Sequence, residues 1–139
     1  MGQLLALPTG QVRAVGFTGT RQGMTEAQRR RVRWLLGRLR AGGAVEFHHG
    51  AARGADSQAE DLATSLGYVI VRHPAAKGRE LARNHIIVGE SDGLLATPAT
   101  RVEQLRSGTW ATVRYGRKAD VPTIVVAPDA APPPEGVDG

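Results

Sequence analysis

Short apolar segments alternate with amphipathic segments along most of this chain, and this alternation limits the possible folds more than any other feature. The apolar segments, interpreted as strands, are residues 12–17, 44–48, 68–72, 93–96 and 123–127. Between them, apolar residues recur at helical spacing, at about residues 25–41, 59–66, 79–89 and 109–118. Strands that alternate with helices form right-handed βαβ units. The sequence therefore predicts a single α/β Rossmann-like domain, with a five-stranded parallel sheet and helices on both faces.

Local signals set the limits of the first helix and of the domain. Thr25 and Gln28 match a capping box, and Gly42-Gly43 ends the helix that follows. After residue 127, Pro, Ala, Asp and Gly dominate the sequence. We therefore expect one nucleotide-binding domain over residues 1–127 and a disordered tail over residues 128–139.

Composition and charge exclude several classes of protein. The 139-residue chain has no cysteine, which excludes disulfides and thiolate metal sites and is typical of a cytoplasmic protein. The apolar run at residues 4–7 is too short for a secretory signal, and no segment is long enough to span a membrane. The net charge of +5 fits nucleic acid, anionic lipid or a phosphate-bearing small molecule as partner. An arginine-rich composition from a high-GC genome explains it equally well.

The loop after the first predicted strand contains Thr18, Gly19, Thr20 and Arg21. Ligands of parallel α/β sheets bind at the carboxyl ends of the strands, so this loop is a candidate binding site. Its small residues leave backbone N–H groups accessible, and Arg21 offers a forked charge to phosphate. The loop lacks the third glycine of the GxGxxG dinucleotide motif. A tight glycine turn without a ligand is an equally good interpretation.

The loop after the second predicted strand contains Gly50, Arg53, Gly54 and Asp56. One long cation among small residues is typical of a pocket rim, so we assign these four residues to ligand binding. Asp56, or Ser57 beside it, fits equally well as the N-cap of the next helix.

Two adjacent histidines, His48 and His49, precede this second loop. Neighbouring residues on a strand point to opposite faces of the sheet, so the two imidazoles cannot bind one metal ion together. We predict no metal site here and no cofactor.

The third predicted helix contributes Arg83 and Asn84. Arg79 and Arg83 are four residues apart and share a helix face, so both could reach one anion, although surface exposure is the default for such residues. Arg83 and Asn84 precede the apolar residues 86–88, which places them near the buried side of the helix. We therefore assign both to ligand binding.

The fourth predicted helix opens with Ser107, Gly108 and Thr109, a segment that we place directly after the fourth strand. The free N–H groups of a first helical turn converge on an anion, and small residues leave them accessible. The alternative is an ordinary serine cap. Trp110 is interpreted as a core residue, with stacking on a base as the alternative.

Four sequence motifs occur in order: GFTGTR, HHGAARGAD, RNHIIV and SGTWAT. Together they resemble the SLOG superfamily, a Rossmann-like group that includes the LOG phosphoribohydrolases, the DNA-processing protein A family and the small YspA-type proteins. The resemblance covers about residues 13–127, and the second motif is most similar to the YspA-type branch. It implies a five-stranded parallel sheet that binds nucleotides or their derivatives along the carboxyl ends of its strands.

The similarity to LOG enzymes implies hydrolysis of the N-glycosidic bond of a nucleoside 5′-monophosphate. Arg83 matches the arginine of their signature and is the candidate catalytic residue, and Gly108-Thr109 matches the GT pair of PGGxGTxxE. Thr112 stands where that signature ends in glutamate, and residues 104–106 replace its PGG. A carboxylate would stabilise the positive charge that develops on the ribose, which Thr112 cannot do. The candidate carboxylates to replace it are Asp56, Glu80 and Glu103.

Three functions therefore stay open. We favour binding or sensing of a nucleotide or nucleotide-derived phosphate compound, and the first alternative is the LOG-like hydrolase. The second alternative is binding of single-stranded DNA, which fits a pI near 10.7 and the arginines of the first helix. Few aromatic residues are available to stack on bases, which weighs against it. A homodimer and an effector protein are possible further partners, and a membrane is not expected. The arginines of the first predicted helix, which favour DNA binding, are Arg29, Arg30, Arg31, Arg33, Arg38 and Arg40.

Overall fold

The structure, a computed structural model, describes residues 12–134. The apolar run at residues 4–7 and the last part of the predicted tail, residues 135–139, lie outside the described residues.

The fold is a five-stranded parallel sheet with the strand order β3-β2-β1-β4-β5. Every neighbouring pair of strands is parallel. The predicted α/β Rossmann-like fold is confirmed. The strands are β1 (Ala14–Gly19), β2 (Glu46–His49), β3 (Val69–Arg72), β4 (Gly93–Thr97) and β5 (Thr123–Val125).

Four helices are found among the described residues: α1 (Glu26–Ala41), α2 (Ala55–Ser65), α3 (Glu80–Gly89) and α4 (Gly108–Lys118). α1 contacts α2, and α3 contacts α4. Right-handed crossovers place these two pairs on opposite faces of the sheet. Within residues 12–134, no helix combines the length and the apolar character needed to cross a membrane.

All five predicted strands and all four predicted helices are present, with shifted ends. The capping box of Thr25 and Gln28 is confirmed, since both reciprocal side-chain bonds are made. β1 extends to Gly19 rather than ending at residue 17, because β4 supplies main-chain partners for Thr18 and Gly19. α2 begins at Ala55, four residues before the first apolar position of its periodic pattern.

Apolar side chains fill both faces of the sheet. Phe17 of β1 and Phe47 of β2 pack on the side of α1 and α2, with ring centroids 5.7 Å apart. On the other face, Trp110 of α4 packs with Ala96 and Val113, and its exposed fraction is 5%. The interpretation of Trp110 as a core residue is confirmed.

The segment after β5 returns to the body of the domain. The Thr25 hydroxyl donates a hydrogen bond of 2.7 Å to the Pro128 carbonyl oxygen. Arg101 pairs with Asp129 at 2.7 Å, and Ala130 packs against the apolar core. The first residues of the predicted tail therefore lie against the fold.

Candidate functional site

A cleft of about 280 Å³ opens at the carboxyl end of the sheet. From β1 the chain continues through β2 to β3 at one edge of the sheet. It then returns to the other side of β1, where β4 and β5 lie, so the direction of strand addition reverses between β1 and β4. Such a switch point leaves a crevice where α/β proteins bind ligands. The cleft is lined by Thr18, Gly19, Thr20, Arg21, Ala52, Glu80, Leu81, Arg83, Asn84, Ala99, Ser107, Gly108 and Thr109.

The structure brings nine of the thirteen predicted site residues into this lining. They come from the loop after β1, from α3 and from the start of α4: Thr18, Gly19, Thr20, Arg21, Arg83, Asn84, Ser107, Gly108 and Thr109. The remaining four belong to the loop after β2 and lie outside the lining: Gly50, Arg53, Gly54 and Asp56. Four further residues complete the cleft without having been predicted as ligand contacts: Ala52, Glu80, Leu81 and Ala99.

The loop after β1 is fixed by main-chain bonds to two other elements. The Thr20 N–H donates to the Thr97 carbonyl at the end of β4, and the Thr20 carbonyl accepts from Ala55 at the start of α2. A Cβ atom at Gly19 would collide with the side chains of Thr97 and Ala55. Glycine at this position therefore allows close packing of the strand ends, and the loop enters the cleft in one defined conformation.

The loop after β2 is organised from within by Asp56. One oxygen of its buried carboxylate accepts hydrogen bonds of 3.1 Å from the N–H groups of Gly50 and Ala52. Burial raises the pKa of Asp56, while its bond to Ala52 and the charge of His49 lower it. Asp56 is not the N-cap of α2, because Gly54 occupies that position. The aspartate therefore shapes the loop whose Ala52 lines the cleft.

Gly54 has a backbone conformation that favours glycine. Its φ is +80°, and a Cβ atom there would collide with the main chain of Arg21. The loops after β1 and β2 thus touch through backbone atoms. Arg53, next to Gly54, is exposed and does not line the cleft.

Arg83 of α3 contacts the loop after β2 and the segment after β3. Its Nη1 donates to the Gly50 carbonyl and, at 2.9 Å, to the His73 carbonyl. Its Nε donates to Asn84 Oδ1 at 2.7 Å. Burial lowers the pKa of Arg83, with the charge of Asp56 opposing this effect. The guanidinium is therefore held in place before any ligand arrives.

Two donors at this point have no acceptor among residues 12–134. Because Asn84 Oδ1 accepts from Arg83, the amide of Asn84 presents Nδ2 as a donor. The Nη2 group of Arg83 also makes no hydrogen bond within the described part of the chain. Both side chains line the cleft, so they can offer these N–H groups to an anionic ligand.

The first turn of α4 also lines the cleft. Ser107 is the N-cap, and its hydroxyl accepts from the Trp110 N–H at 3.1 Å. The first-turn N–H groups of Gly108 and Thr109 have no helical acceptor. This turn does not directly follow a strand as predicted, because residues 98–107 lie between β4 and α4.

Charges of both signs are present in the cleft. Glu80 and Arg21 are 3.9 Å apart, and both side chains are partly exposed. Of the carboxylates considered as replacements for the LOG glutamate, Glu80 lines the cleft, Asp56 is bound to main-chain N–H groups, and Glu103 pairs with Arg114.

Two other residues considered in the sequence analysis do not line the cleft. Thr112 is fully buried and donates its hydroxyl hydrogen to the Gly108 carbonyl, so its polar group is satisfied within α4. Arg79 precedes α3, is exposed and does not line the cleft. Of the arginine pair on this segment, Arg83 alone reaches the cleft.

Comparison with known proteins identifies similar folds. No family model and no curated protein matches the sequence significantly. DNA processing protein A from Helicobacter pylori, which has a described single-stranded DNA binding mode, has a similar structure, with a TM-score of 0.61 and 23% identity. The similarity covers 88% of this chain and 67% of that one.

A molybdenum cofactor binding protein from the phototrophic bacterium Rippkaea orientalis is also similar in structure. Its TM-score is 0.64 at 18% identity, over 83% of this chain and 76% of that one. The first of these two proteins bears the name of a family within the group that the sequence motifs resemble. At these identities the comparison shows that the chain has a Rossmann-like fold in common with both proteins.

Proposed function

We propose that the protein binds a nucleotide or a nucleotide-derived phosphate compound in the cleft between β1 and β4. One observation supports this proposal most directly: Arg83 and the first turn of α4 line the same cleft. A positioned guanidinium and free first-turn N–H groups are both well suited to a phosphate group. Four hydroxyl-bearing residues lie in the same lining: Thr18, Thr20, Ser107 and Thr109.

The size and wall chemistry of the cleft favour a small compound. The cleft volume of about 280 Å³ lies just below the usual range for ligand pockets, which is about 300–1,000 Å³. Ala52, Leu81 and Ala99 supply apolar surface for a base or sugar, and none of the described residues that line the cleft is aromatic. We therefore infer that affinity comes chiefly from the phosphate and that the base is recognised by shape.

The test is a thermal-shift panel on the full chain at low and high salt. The panel contains inorganic phosphate, mononucleotides, dinucleotides, ADP-ribose-type compounds and a short single-stranded oligonucleotide. A ligand present at a hundred times its dissociation constant adds about 2.7 kcal/mol to the free energy of unfolding. One small compound that shifts the midpoint at both salt concentrations supports the proposal. No shift with any phosphate compound contradicts it.

A second candidate is hydrolysis of the N-glycosidic bond of a mononucleotide, and Glu80 favours it. This carboxylate lies in the same lining as Arg83, although Thr112 occupies the position of the LOG glutamate. A carboxylate at the ribose can stabilise developing positive charge and orient water. Release of free base from a mononucleotide, detected by chromatography and lost in Glu80→Gln, would support it. Intact nucleotide after prolonged incubation would set it aside.

Single-stranded DNA is the third candidate ligand, and the fold similarity to a protein that binds it favours testing it. The net charge of +5 acts in the same direction. Binding to DNA releases counterions, so its affinity falls steeply with salt. A shift with the oligonucleotide alone, lost at high salt, would replace the small-molecule proposal with this one.

A further inference from the structure

Three side chains of the kinds that bind metal ions meet on the face of the sheet that packs against α3. His48 is in β2, His73 follows β3, and Glu90 caps the carboxyl end of α3. The distance between His48 Nδ1 and His73 Nε2 is 2.9 Å. Glu90 Oε1 is 3.6 Å from the first nitrogen and 3.7 Å from the second.

These separations match those of atoms that share one small metal ion. Zinc binds histidine nitrogen at about 2.0–2.1 Å and carboxylate oxygen at about 2.0–2.2 Å, usually in tetrahedral geometry. Two ligand atoms at such distances lie roughly 3.3 Å apart. The three observed distances, 2.9, 3.6 and 3.7 Å, lie on both sides of this value. Shifts of a few tenths of an ångström would therefore place an ion between the three side chains.

A fourth residue directs the lone pair of His48 toward this point. Glu46 lies two residues earlier on β2, and its Oε1 is 2.9 Å from His48 Nε2. A carboxylate can only accept, so the proton of the neutral imidazole lies on Nε2 and the lone pair on Nδ1. Metal-bound histidines very often have such a carboxylate on the distal nitrogen, where it fixes the tautomer.

The exposed fractions of the three side chains increase from His48 to His73 to Glu90, which suits a metal site that opens to solvent on one side. The side chain of His48 is 4% exposed, that of His73 14% and that of Glu90 52%. The buried histidine is fixed by the sheet, whereas the carboxylate lies at the solvent boundary, where an ion can enter. Three protein ligands leave one tetrahedral position for water, as in zinc sites of the two-histidine, one-glutamate type.

We propose that His48, His73 and Glu90 bind a divalent transition metal ion of the zinc class, with Glu46 as a positioning residue. Imidazole together with carboxylate suits zinc and its first-row neighbours, whereas magnesium prefers oxygen ligands alone. The site is separate from the nucleotide cleft, because none of its ligands lines that cleft. It lies close to it, since Arg83 donates to the His73 carbonyl at 2.9 Å.

The test is a calorimetric titration with Zn²⁺ of protein that carries no tag and has been treated with a chelator. Mg²⁺ is the comparison ion. The wild-type chain should bind one zinc ion. His73→Gln and Glu90→Gln should each weaken binding by more than tenfold. Glu46→Gln should weaken it by about 10–100-fold, the usual effect of losing a partner of a metal-bound histidine. Co²⁺ should give the visible absorption of a tetrahedral site in the wild type and lose it in Glu90→Gln.

The matched control is His85→Gln, which removes a histidine that stacks on Tyr115 and lies outside the cluster. It should bind zinc as the wild type does. His73 and Glu90 are at least partly exposed, and the thermal midpoint of each metal-free variant verifies that it is folded. Absence of zinc binding in the wild type would overturn the proposal. So would equal binding in the wild type, His73→Gln and Glu90→Gln.

Discussion

The guanidinium of Arg83, on α3, donates a hydrogen bond to the main-chain carbonyl of Gly50, 33 residues earlier in the chain. This contact joins the loop after β2 to the helix that precedes β4. A Cβ atom at Gly50 would lie 2.5 Å from Nη1 of Arg83, so the glycine also makes room for the guanidinium. Arg83 therefore fixes the position of the loop after β2 relative to α3.

Arg83→Lys is expected to weaken binding of a mononucleotide by at least about tenfold while the protein stays folded. Lysine retains the charge but lacks the planar set of donors that contacts Gly50, His73 and Asn84. A hydrogen bond to a charged group contributes about 1.5–3 kcal/mol. Calorimetry measures the change in affinity. Arg79→Lys, outside the cleft, is the control, and an equal loss in both variants would contradict the assignment of Arg83.

Gly108→Leu is expected to abolish ligand binding with little change in stability. A Cβ atom at Gly108 meets no atom within 4 Å, so the fold has room for a larger residue at this position. The leucine side chain would occupy the region where first-turn N–H groups meet a phosphate. Gly108→Ala, which adds the Cβ atom alone, serves as the graded comparison. Unchanged affinity in the leucine variant would show that the ligand does not contact this turn.

Gly54→Ala should lower the free energy of unfolding by more than about 1 kcal/mol. Alanine at a φ of +80° is strained, and its Cβ atom would collide with the main chain of Arg21. Urea unfolding measures the effect. A variant as stable as the wild type would show that the two loops separate easily.

Gly37→Ala should have the opposite sign and raise the free energy of unfolding by about 0.5–1 kcal/mol. Gly37 lies inside α1, where a Cβ atom would meet nothing within 4 Å. Alanine restricts the unfolded chain and favours the helix. Thermal unfolding should show a rise of a few degrees. A lower midpoint would contradict the open environment of this position.

Glu60 should make the stability depend on pH in the acid range. Its pKa is lowered to about 2, chiefly by hydrogen bonds from Arg72, with a further bond from His49 and with burial acting in the opposite direction. A carboxylate whose pKa is lower in the folded state stabilises the protein above its unfolded pKa, near 4.5, and this stabilisation is lost as the pH falls toward 2.

Arg72 is 61% exposed, so solvent screening keeps the contribution of this pair to stability small. Urea unfolding between pH 4.5 and pH 2 should therefore show a smaller loss of stability in Glu60→Gln than in the wild type. Arg72→Gln should reduce the loss similarly. A slope in Glu60→Gln as steep as that of the wild type would assign the pH dependence to other groups.

The sequence was sufficient to predict the parallel α/β architecture, because strand and helix periodicities alternate clearly. It was also sufficient to locate the loop after β1 and the start of α4. Small residues follow the first of these elements and open the second. It was less informative about Asp56, whose carboxylate turns back to the N–H groups of Gly50 and Ala52. Local sequence cannot distinguish that contact from a helix cap, because both use the same side chain at almost the same position.

Residues that meet only in the folded chain were not predictable from local patterns. Glu80 was considered as a replacement carboxylate, but its place in the cleft depends on how α3 lies across the sheet. His48 was considered with its neighbour His49, whereas its partner, His73, is 25 residues away and follows the adjacent strand. Pairing of β2 with β3 brings the two imidazoles together, and strand order is not contained in either motif.

The cleft is assembled from segments that are far apart in the chain, around Thr20, Arg83 and Gly108. No short peptide from this protein contains all of its walls. A ligand held there acts as a cross-link between the first and last thirds of the chain, and it binds only when both are folded together. If the chain were cut in the exposed segment between β4 and α4, the same ligand would favour reassociation of the two fragments, because neither fragment alone has a complete site.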